Sequence, residues 1–432
     1  MKRACVLALC LVFFMVPLMA MGGGESADVQ KGSSDKIVFE FWDSIFKTDL
    51  ESNAYLRTVK EEFEAMHPNV ELRITAKGRP EQQFDALTIA FSSDDGPDAF
   101  GYSIGSLMTP FIESGKLADL TYIVKENGWE NDISAATWDM EHQLWGDHYY
   151  ALPIENTVMG VFYRKDLYEK FNLEVPTTYE EFIHNCEVLK QNGIVAIGNA
   201  GKVPAVTNRW FDALLEKNCG VELHNALLNG TASINCPEVA KSLEELKELS
   251  GYFQNGHLAA EESEVYMLWY PGKACHFYTA TWQCDTFVNQ GQDPNLYGYF
   301  RFPTDQNTWR SNSFSYGVYV NKNSENYDLA IDLLKIMADK KPYQVAFDER
   351  HSIVGSMPSV FDESKVDDLR RDLLLDIKNP DGTYMPSNEM CWPPKLTDEL
   401  FEVLDQVMLG TLAPADGAAQ LDRMAKSINF YK

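Results

Sequence analysis

The first regular pattern in the sequence is a β-strand pattern at residues 37–42, which read IVFEFW. Their β-branched and aromatic side chains favour an extended backbone. Apolar residues then recur over residues 56–66 at the spacing of one helical face, and a His-Pro pair follows, so we predict a helix that ends there. A second strand is predicted over residues 70–75. Strand, helix and strand in this order are typical of two parallel strands joined by a crossover.

The alternation continues beyond these three elements. We predict a helix over residues 80–91, a short strand over residues 98–101 and a helix over residues 106–114. Three strand and helix units within about 80 residues indicate an α/β fold with a central, mostly parallel sheet flanked by helices.

Ligands of such sheets bind beyond the carboxyl ends of the strands. This rule alone makes three rim positions candidates for ligand binding. They are Trp42 with Asp43, the loop before Glu81, and Tyr102 with Ser103.

The rest of the chain is rich in helices. Residues 160–163 read as a strand, and residues 179–191 as a helix that begins with a capping box between Thr178 and Glu181. Helical periodicity recurs near residues 239–249, 330–337 and 396–408. No internal repeat and no long linker separates these segments, so we expect them to complete lobes that have already begun.

Composition excludes several classes of function. The 432 residues include 37 Lys and Arg against 64 Asp and Glu, which gives a net charge of −27. Phosphate backbones and anionic membrane surfaces repel such a chain, and we expect no nucleic-acid partner. The hydrophobic content of 45% is that of a globular protein, and the 12% of aromatic residues suits surfaces that stack on flat ligand faces.

The N-terminus predicts export. Lys2 and Arg3 precede an uncharged run that ends in small residues, so residues 1–22 read as a signal peptide and residues 23–35 as a flexible tether. The alternative is an uncleaved anchor, since the run is only slightly short of a membrane span. No cysteine follows the run to carry a lipid. We therefore expect a free periplasmic protein.

Six cysteines remain after the predicted cleavage, and the spacing does not settle their state. Cys275 with Cys284, or Cys219 with Cys236, lie close enough in sequence for disulfides, while buried free thiols are equally compatible with it. No C-x-x-C spacing occurs, which argues against a zinc ribbon or a thioredoxin-type redox site.

The motifs of catalytic and cofactor sites are largely missing. Phosphate-cradling, dinucleotide-binding and H-E-x-x-H patterns do not occur, and we expect no cofactor and no metal site. One G-x-S-x-G pattern, at residues 101–105, places Ser103 between a predicted strand and a helix, as in a serine hydrolase, with His351 available as a base. The alternative is that this loop is the rim of a ligand cleft. Glu155 is the notable acid, because its apolar surroundings require hydrogen-bond partners for the carboxylate.

Several stretches together resemble the extracellular solute-binding proteins, family 1, of bacterial ABC importers, a family that includes the maltose-binding protein. The resemblance covers about residues 36–432 and follows the order of the family. The matching stretches are residues 37–42, 63–70, 96–98, 114–121, 150–153, 161–167, 176–182, 272–274 and 280–282.

The resemblance implies two α/β lobes joined by a hinge of several chain crossings, with a cleft that closes on a sugar. We expect the first lobe to comprise residues 36–151 and 314–375, and the second lobe residues 152–313 and 376–432. Strand ends and resemblance together give the candidate ligand-binding residues, which are Trp42, Asp43, Glu81, Tyr102, Ser103, Glu155, Trp210, Thr281, Trp282, Tyr316 and Trp392.

The implied function is that of a non-enzymatic binding protein, monomeric and periplasmic, which captures a sugar or oligosaccharide and delivers it to an ABC permease. Three alternatives remain open. The ligand is another polar solute, such as a sugar phosphate, a polyol or a glycerophosphodiester; the protein is an exported sensor; or it is a secreted serine hydrolase that acts through Ser103.

Overall fold

The computed structural model describes residues 36–44, 47–304, 310–378 and 383–432. The predicted signal peptide (residues 1–22) and tether (residues 23–35) lie outside them. Residues 37–432 form one unit, which is the part of the chain described below.

The sheet is built from strands of very unequal length. Within the described ranges the strands are β1 (Ile37–Asp43), β2 (Val70–Ala76), β3 (Ala99–Ser103), β4 (Ala151–Arg164), β5 (Val195–Gly198), β6 (Ala274–Ala280), β7 (Tyr297–Phe300), β8 (Arg310–Val320) and β9 (Thr383–Pro386).

Helices cover the sheet on both sides. In the same part of the chain they are α1 (Ala54–Met66), α2 (Pro80–Ser92), α3 (Thr109–Glu113), α4 (Thr121–Asn127), α5 (Trp129–Asp132), α6 (Ala135–Trp145), α7 (Lys165–Phe171), α8 (Tyr179–Gln191), α9 (Pro204–Leu228), α10 (Pro237–Ser250), α11 (Glu262–Trp269), α12 (Trp282–Asn289), α13 (Tyr327–Met337), α14 (Lys340–Arg350), α15 (Asp368–Ile377), α16 (Asn388–Cys391), α17 (Pro394–Met408) and α18 (Pro414–Ser427). Short 3₁₀ turns occupy Ser106–Met108, Pro294–Leu296, Pro358–Val360 and Glu363–Lys365.

The strand order is β2-β1-β3-β8-β4-β6-β5, with β7 also paired to β4 and β9 to β8. This arrangement confirms the predicted α/β class. The sheet is mixed, however, where mostly parallel pairing was expected. The first three strands are parallel as predicted, but β8 runs antiparallel to β3 and to β4, and β4 runs antiparallel to β6 and β7. The difference arises because β4 and β8 return through the middle of the sheet in opposite directions.

The two long strands β4 and β8 lie between two groups of strands, β1 to β3 on one side and β5 to β7 on the other. The first half of β4 pairs with β8 from Ala151 to Val158, and its second half pairs with β6 and β7. Likewise, one end of β8 pairs with β3 and the other with β9. The register of β4 against β8 shifts between Pro153 and Glu155, which is the signature of a β-bulge at this crossing.

Apolar packing lies on both groups of strands. One core cluster surrounds β1 and α1 and includes Phe39, Phe63 and Val318. Another surrounds β6 and includes Phe277. The third and largest runs from Phe100 on β3 to helices that follow β4, so buried apolar contacts link the two groups.

The predicted helices agree closely with the observed ones where a capping signal was present. The helix predicted over residues 179–191 is α8, and its capping box forms: the Glu181 backbone N–H donates to Thr178 Oγ1 over 3.2 Å, and the Thr178 N–H donates to the Glu181 carboxylate over 3.3 Å. The helix predicted over residues 106–114 is instead a 3₁₀ turn followed by α3. Only the last third of β4 was predicted, as residues 160–163.

The longest described helix, α9, has 25 residues and is interrupted at Gly220, whose φ of 68° lies in the left-handed region that glycine adopts without strain. Across the described ranges no helix is both long enough and apolar enough to cross a bilayer.

The cysteines of the described chain are all thiols. Neither of the two pairings that the spacing allowed is formed, and Cys186, Cys275, Cys284 and Cys391 are buried. Burial raises the pKa of the Cys275 thiol to about 12, so this group stays protonated at neutral pH.

Candidate functional site

Asp43 ends strand β1 and is almost fully buried, with 3% of its surface exposed. Its carboxylate accepts a short hydrogen bond from the hydroxyl of Tyr316 and another from the backbone N–H of Ser44, over 2.7 Å. Tyr316 reaches this position because it lies on β8, directly opposite Ser103 at the carboxyl end of β3. The strand-end rule predicted Asp43 and the family resemblance predicted Tyr316, and the two side chains are in contact.

Glu155 joins the same group from the bulge in β4. It pairs in register with Tyr316, and its carboxylate forms a close ion pair with Lys47. The Lys47 ammonium also stands 4.8 Å from the ring centroid of Tyr316. We call Asp43, Lys47, Glu155 and Tyr316 the carboxylate cluster. Lys47 was not among the predicted residues, since its partner lies 108 positions away in sequence.

Burial controls the protonation of this cluster. It raises the pKa of Asp43 to about 7, against the lowering effects of the Tyr316 hydroxyl and the Lys47 ammonium. The nearby Glu155 carboxylate raises it further. Burial also holds the pKa of Tyr316 well above its ordinary value, so this hydroxyl remains a donor at neutral pH.

The G-x-S-x-G pattern has a packing explanation. A Cβ added at Gly101 would lie 2.8 Å from Cε1 of Tyr316, and one at Gly105 would lie 3.1 Å from the carbonyl oxygen of Met390. Both glycines therefore allow close approach of other parts of the chain. Among the described residues no histidine hydrogen-bonds Ser103, and the predicted base, His351, packs its ring on Phe347 instead.

Tyr102 on β3 contacts the start of α2, the helix that carries Glu81. Tyr102 is buried, and its hydroxyl donates to the carbonyl oxygen of Pro80 over 3.1 Å. Glu81 is exposed in the first turn of α2. The fully buried Gln83 donates from its side-chain amide to the Gly101 carbonyl over 2.9 Å and ties α2 to β3.

A second face lies beyond the carboxyl end of β6. Thr281 is fully buried, and its backbone N–H donates to the carbonyl of Val158 over 3.1 Å, three residues along β4 from Glu155. Trp282 follows as the first residue of α12 and is partly buried. The guanidinium carbon of Arg209 stands 5.4 Å from its ring centroid.

A buried carboxylate fixes the short helix beside this face. Asp212 on α9 is fully buried and accepts hydrogen bonds from Asn208, Asn312 and Ser387, the last over 2.5 Å. Burial raises its pKa to about 8. Ser387 immediately precedes α16, so this network positions Glu389, which lies on α16, near Arg209. Burial raises the pKa of Glu389 to about 7, and the positive charge of Arg209 partly opposes this rise.

Further bonds hold the two groups of strands together around this region. The Ser106 hydroxyl, just beyond β3, donates to the carbonyl of Trp392 over 2.6 Å. On α12, Asp285 accepts from the Ser352 hydroxyl over 2.8 Å. These bonds link the segment after β3 to the segment after α16, and α12 to the segment after α14.

Two of the predicted rings are buried in the core. Trp210 is fully buried and stacks on Phe182 with ring centroids 6.1 Å apart. Trp392 is 1% exposed, and its indole N–H donates to the carbonyl of Leu227 over 3.2 Å. Both rings are core residues in this conformation, and their placement gives no support to ligand stacking.

The sequence analysis missed Arg209, Asp212 and Glu389. No local motif marks them, since each depends on partners distant in sequence. Among the described residues, no group of three or more His, Cys, Asp or Glu side chains is arranged to hold a metal ion.

The sequence matches the family model of bacterial extracellular solute-binding proteins over residues 20–344. The match covers more than half of the chain, and the chain therefore belongs to this family of solute-binding proteins.

Among its relatives, an uncharacterized ABC transporter extracellular-binding protein of Pyrococcus horikoshii is 25% identical over 252 residues, which are 56% of this chain and 55% of that protein. The chain thus spans a little over half the length of this relative. A probable sugar-binding periplasmic protein of Mesorhizobium japonicum is 21% identical over 373 residues, covering 83% of this chain and 85% of that protein.

The fold is also similar to that of a solved structure from work on xylan utilization by the thermophilic bacterium Caldanaerobius polysaccharolyticus. The TM-score is 0.79 at 19% identity, over 90% of this chain and 99% of that chain. At this identity the likeness shows the fold, which is the predicted two-lobed fold of solute-binding proteins.

Substituting Gly101 tests the packing of the carboxylate cluster. We expect Gly101→Ala to destabilise the protein by about 1–3 kcal/mol, because the added methyl group forces the Tyr316 ring from its place against Asp43. Urea unfolding measures the change. In a Tyr316→Ala background, which removes both the ring carbon 2.8 Å and the hydroxyl 2.9 Å from the added carbon, the loss should be smaller. An equal loss in both backgrounds would place the strain elsewhere.

The raised pKa of Asp43 predicts a pH dependence of stability. Between about pH 4 and pH 7 the carboxyl group of Asp43 is ionised in the unfolded chain but stays protonated in the folded protein. Its contribution to the free energy of unfolding is therefore full at low pH and is lost as the pH rises. Asp43→Asn removes this titration. Relative to the parent, the variant should therefore gain about 3 kcal/mol between pH 5 and pH 8.

Denaturant unfolding at pH 5, 6.5 and 8 measures this difference. Other buried acids with raised pKa values, such as Asp212, titrate equally in both proteins and cancel. A difference that is constant across the pH range would show that Asp43 titrates near its ordinary value.

Proposed function

We propose that this protein is the substrate-binding component of an ABC importer, which captures a sugar or oligosaccharide and delivers it to a membrane permease. Family membership supports the solute-binding role. The Mesorhizobium relative is named a probable sugar-binding periplasmic protein, and this name supports a carbohydrate as the solute.

The observation that carries the proposal is the pairing of aromatic and polar groups at the strand ends. Trp42 at the end of β1 and Trp282 at the start of α12 are partly buried, so each keeps an exposed part of its ring. The carboxylate cluster includes Asp43, the neighbour of Trp42 in the chain, and Glu155 and Tyr316, which pair at the crossing of β4 and β8. A pyranose has an apolar face that stacks on an indole and a belt of hydroxyls that charged side chains bind.

Binding works in this proposal by closure of the two lobes. The proposed lobes are residues 36–151 with 314–375, and residues 152–313 with 376–432. A ligand that contacts both lobes stabilises the closed arrangement by its higher affinity for that state, and the permease binds the closed form.

The proposal also covers the oligomeric state of the protein, its location and its lack of catalytic activity. The protein acts as a monomer in the periplasm, which it reaches through the signal peptide at residues 1–22. It catalyses no reaction, since the Ser103 region is accounted for by packing and by the cleft rim.

A thermal-shift screen of the mature protein, stripped of ligand under partly denaturing conditions, tests this function. A micromolar ligand at millimolar concentration should stabilise the protein by about 4 kcal/mol and raise the midpoint by several degrees. We expect hits among mono- or oligosaccharides. Absence of any hit, together with turnover of esterase substrates that Ser103→Ala abolishes, would contradict the proposal.

Substituting Trp282 tests whether its ring stacks on the sugar. Trp282→Ala should weaken binding of any hit at least about tenfold, as measured by calorimetry, because the apolar face of the sugar loses its partner. Trp145→Ala is the matched control: this ring is also partly buried, but it lies on α6 and packs on Tyr150. Equal losses in both variants would argue against a stacking role for Trp282.

A further inference from the structure

Each of the two tryptophans assigned to the cleft carries a cation over its ring. The Lys77 ammonium stands 3.7 Å from the centroid of the Trp42 ring, and the Arg209 guanidinium carbon stands 5.4 Å from that of Trp282. Both distances lie within the range of a cation–π attraction. Trp42 lies near the end of β1 and Trp282 at the start of α12, so the same arrangement occurs twice.

Neither cation has a carboxylate partner at salt-bridge distance among the described residues. Lys47 differs in this respect, because it is already paired with Glu155. Arg209 donates a long hydrogen bond of 3.4 Å to the carbonyl of Tyr278 and lies in the field of Glu389, which it does not contact as an ion pair. Both cations therefore retain donors for an incoming anion.

A cation over a ring affects neutral and anionic ligands differently. A neutral pyranose that stacks on the covered face must displace the cation and supplies no charge in return. An anionic sugar also displaces it, but offers a carboxylate or phosphate oxygen beside the ring, where a charge-assisted hydrogen bond replaces the lost contact. The arrangement thus favours the anionic ligand.

A third cation, Arg79, belongs to the segment between β2 and α2, two residues after Lys77. The pKa of Glu261, the residue before α11, is lowered mainly by its hydrogen bond and ion pair with Lys202 and to a smaller extent by the charge of Arg79. Glu261 is already paired with Lys202. In a chain with a net charge of −27, Lys77, Arg79 and Arg209 are three basic side chains that attract an anion.

We propose that the cleft selects carbohydrates that carry an anionic group, with sugar rings stacked on Trp42 and Trp282 and the anion bound by Lys77 and Arg209. This inference rests on the proposed function and specifies its substrate class. The shared chemistry is an acidic oxygen group on a sugar, either the carboxylate of a uronate or the phosphate of a sugar ester.

Calorimetry with matched saccharides tests the proposal. The probes are trigalacturonate, its fully methyl-esterified form, glucose 1-phosphate and glucose. Each acidic probe has a neutral counterpart with the same sugar skeleton. We expect at least one acidic probe to bind about tenfold or more tightly than its counterpart, with an affinity that falls as salt is added. Trigalacturonate and glucose 1-phosphate distinguish a carboxylate from a phosphate ligand.

Substituting Lys77 or Arg209 should change the binding of acidic and neutral probes differently, which a purely structural role would not do. Lys77→Met and Arg209→Met should each weaken the acidic probe about tenfold while leaving its neutral counterpart unchanged or tightening it, since the ring face is uncovered. Lys170→Met is the control, because this exposed lysine also stands over a ring, Phe171, but on α7. It should bind every probe as the parent does.

The outcomes separate the two proposals. Equal or tighter binding of the neutral probes overturns the anionic preference and leaves sugar binding standing. Equal weakening of acidic and neutral probes in the Lys77 and Arg209 variants overturns the assigned role of the cations. Failure of all four probes to bind, with a neutral sugar found in the thermal-shift screen, also overturns the preference, whereas failure of every carbohydrate in both experiments contradicts the proposed function itself.

Discussion

The antiparallel pairing of β4 with β8 is the constraint on which the rest of the structure depends. Over Ala151 to Val158 these strands share one ladder of hydrogen bonds, and beyond it they diverge to different partners. Each strand therefore belongs to both groups of strands. The bulge beside Glu155 interrupts this ladder and turns the carboxylate toward Lys47. Local irregularity at the crossing thus supplies a charged group to the cleft.

Burial gives this region its electrostatic character. Asp43, Asp212 and Glu389 come from three distant segments, and burial raises the pKa of each to about 7 or 8. Carboxyl groups that are partly protonated at neutral pH repel an anion less than ionised ones do. The basic side chains beside these groups, Lys47 and Arg209, therefore contribute more to the local field than the excess of acidic residues in the sequence suggests.

The sequence was sufficient for the α/β class, the first parallel strands and the capped helix α8, because their signals are local periodicities and caps. It was insufficient for β4, whose residues 151–158 are mostly buried on both faces and lack the alternation of a half-exposed strand. Asp43, predicted from a strand end, and Tyr316, predicted from the family resemblance, are hydrogen-bonded to each other. Residue type alone could not separate the partly exposed Trp282 from the core rings Trp210 and Trp392, because exposure depends on tertiary packing.

The most direct test of this account is hydrogen exchange with and without the tightest-binding carbohydrate. If one ligand bridges both faces, its addition should slow exchange of backbone amides at residues 42–44 and 101–103 and, at the same ligand concentration, at residues 281–285. Protection confined to one of these faces, with unchanged exchange at the other, would contradict binding between two lobes.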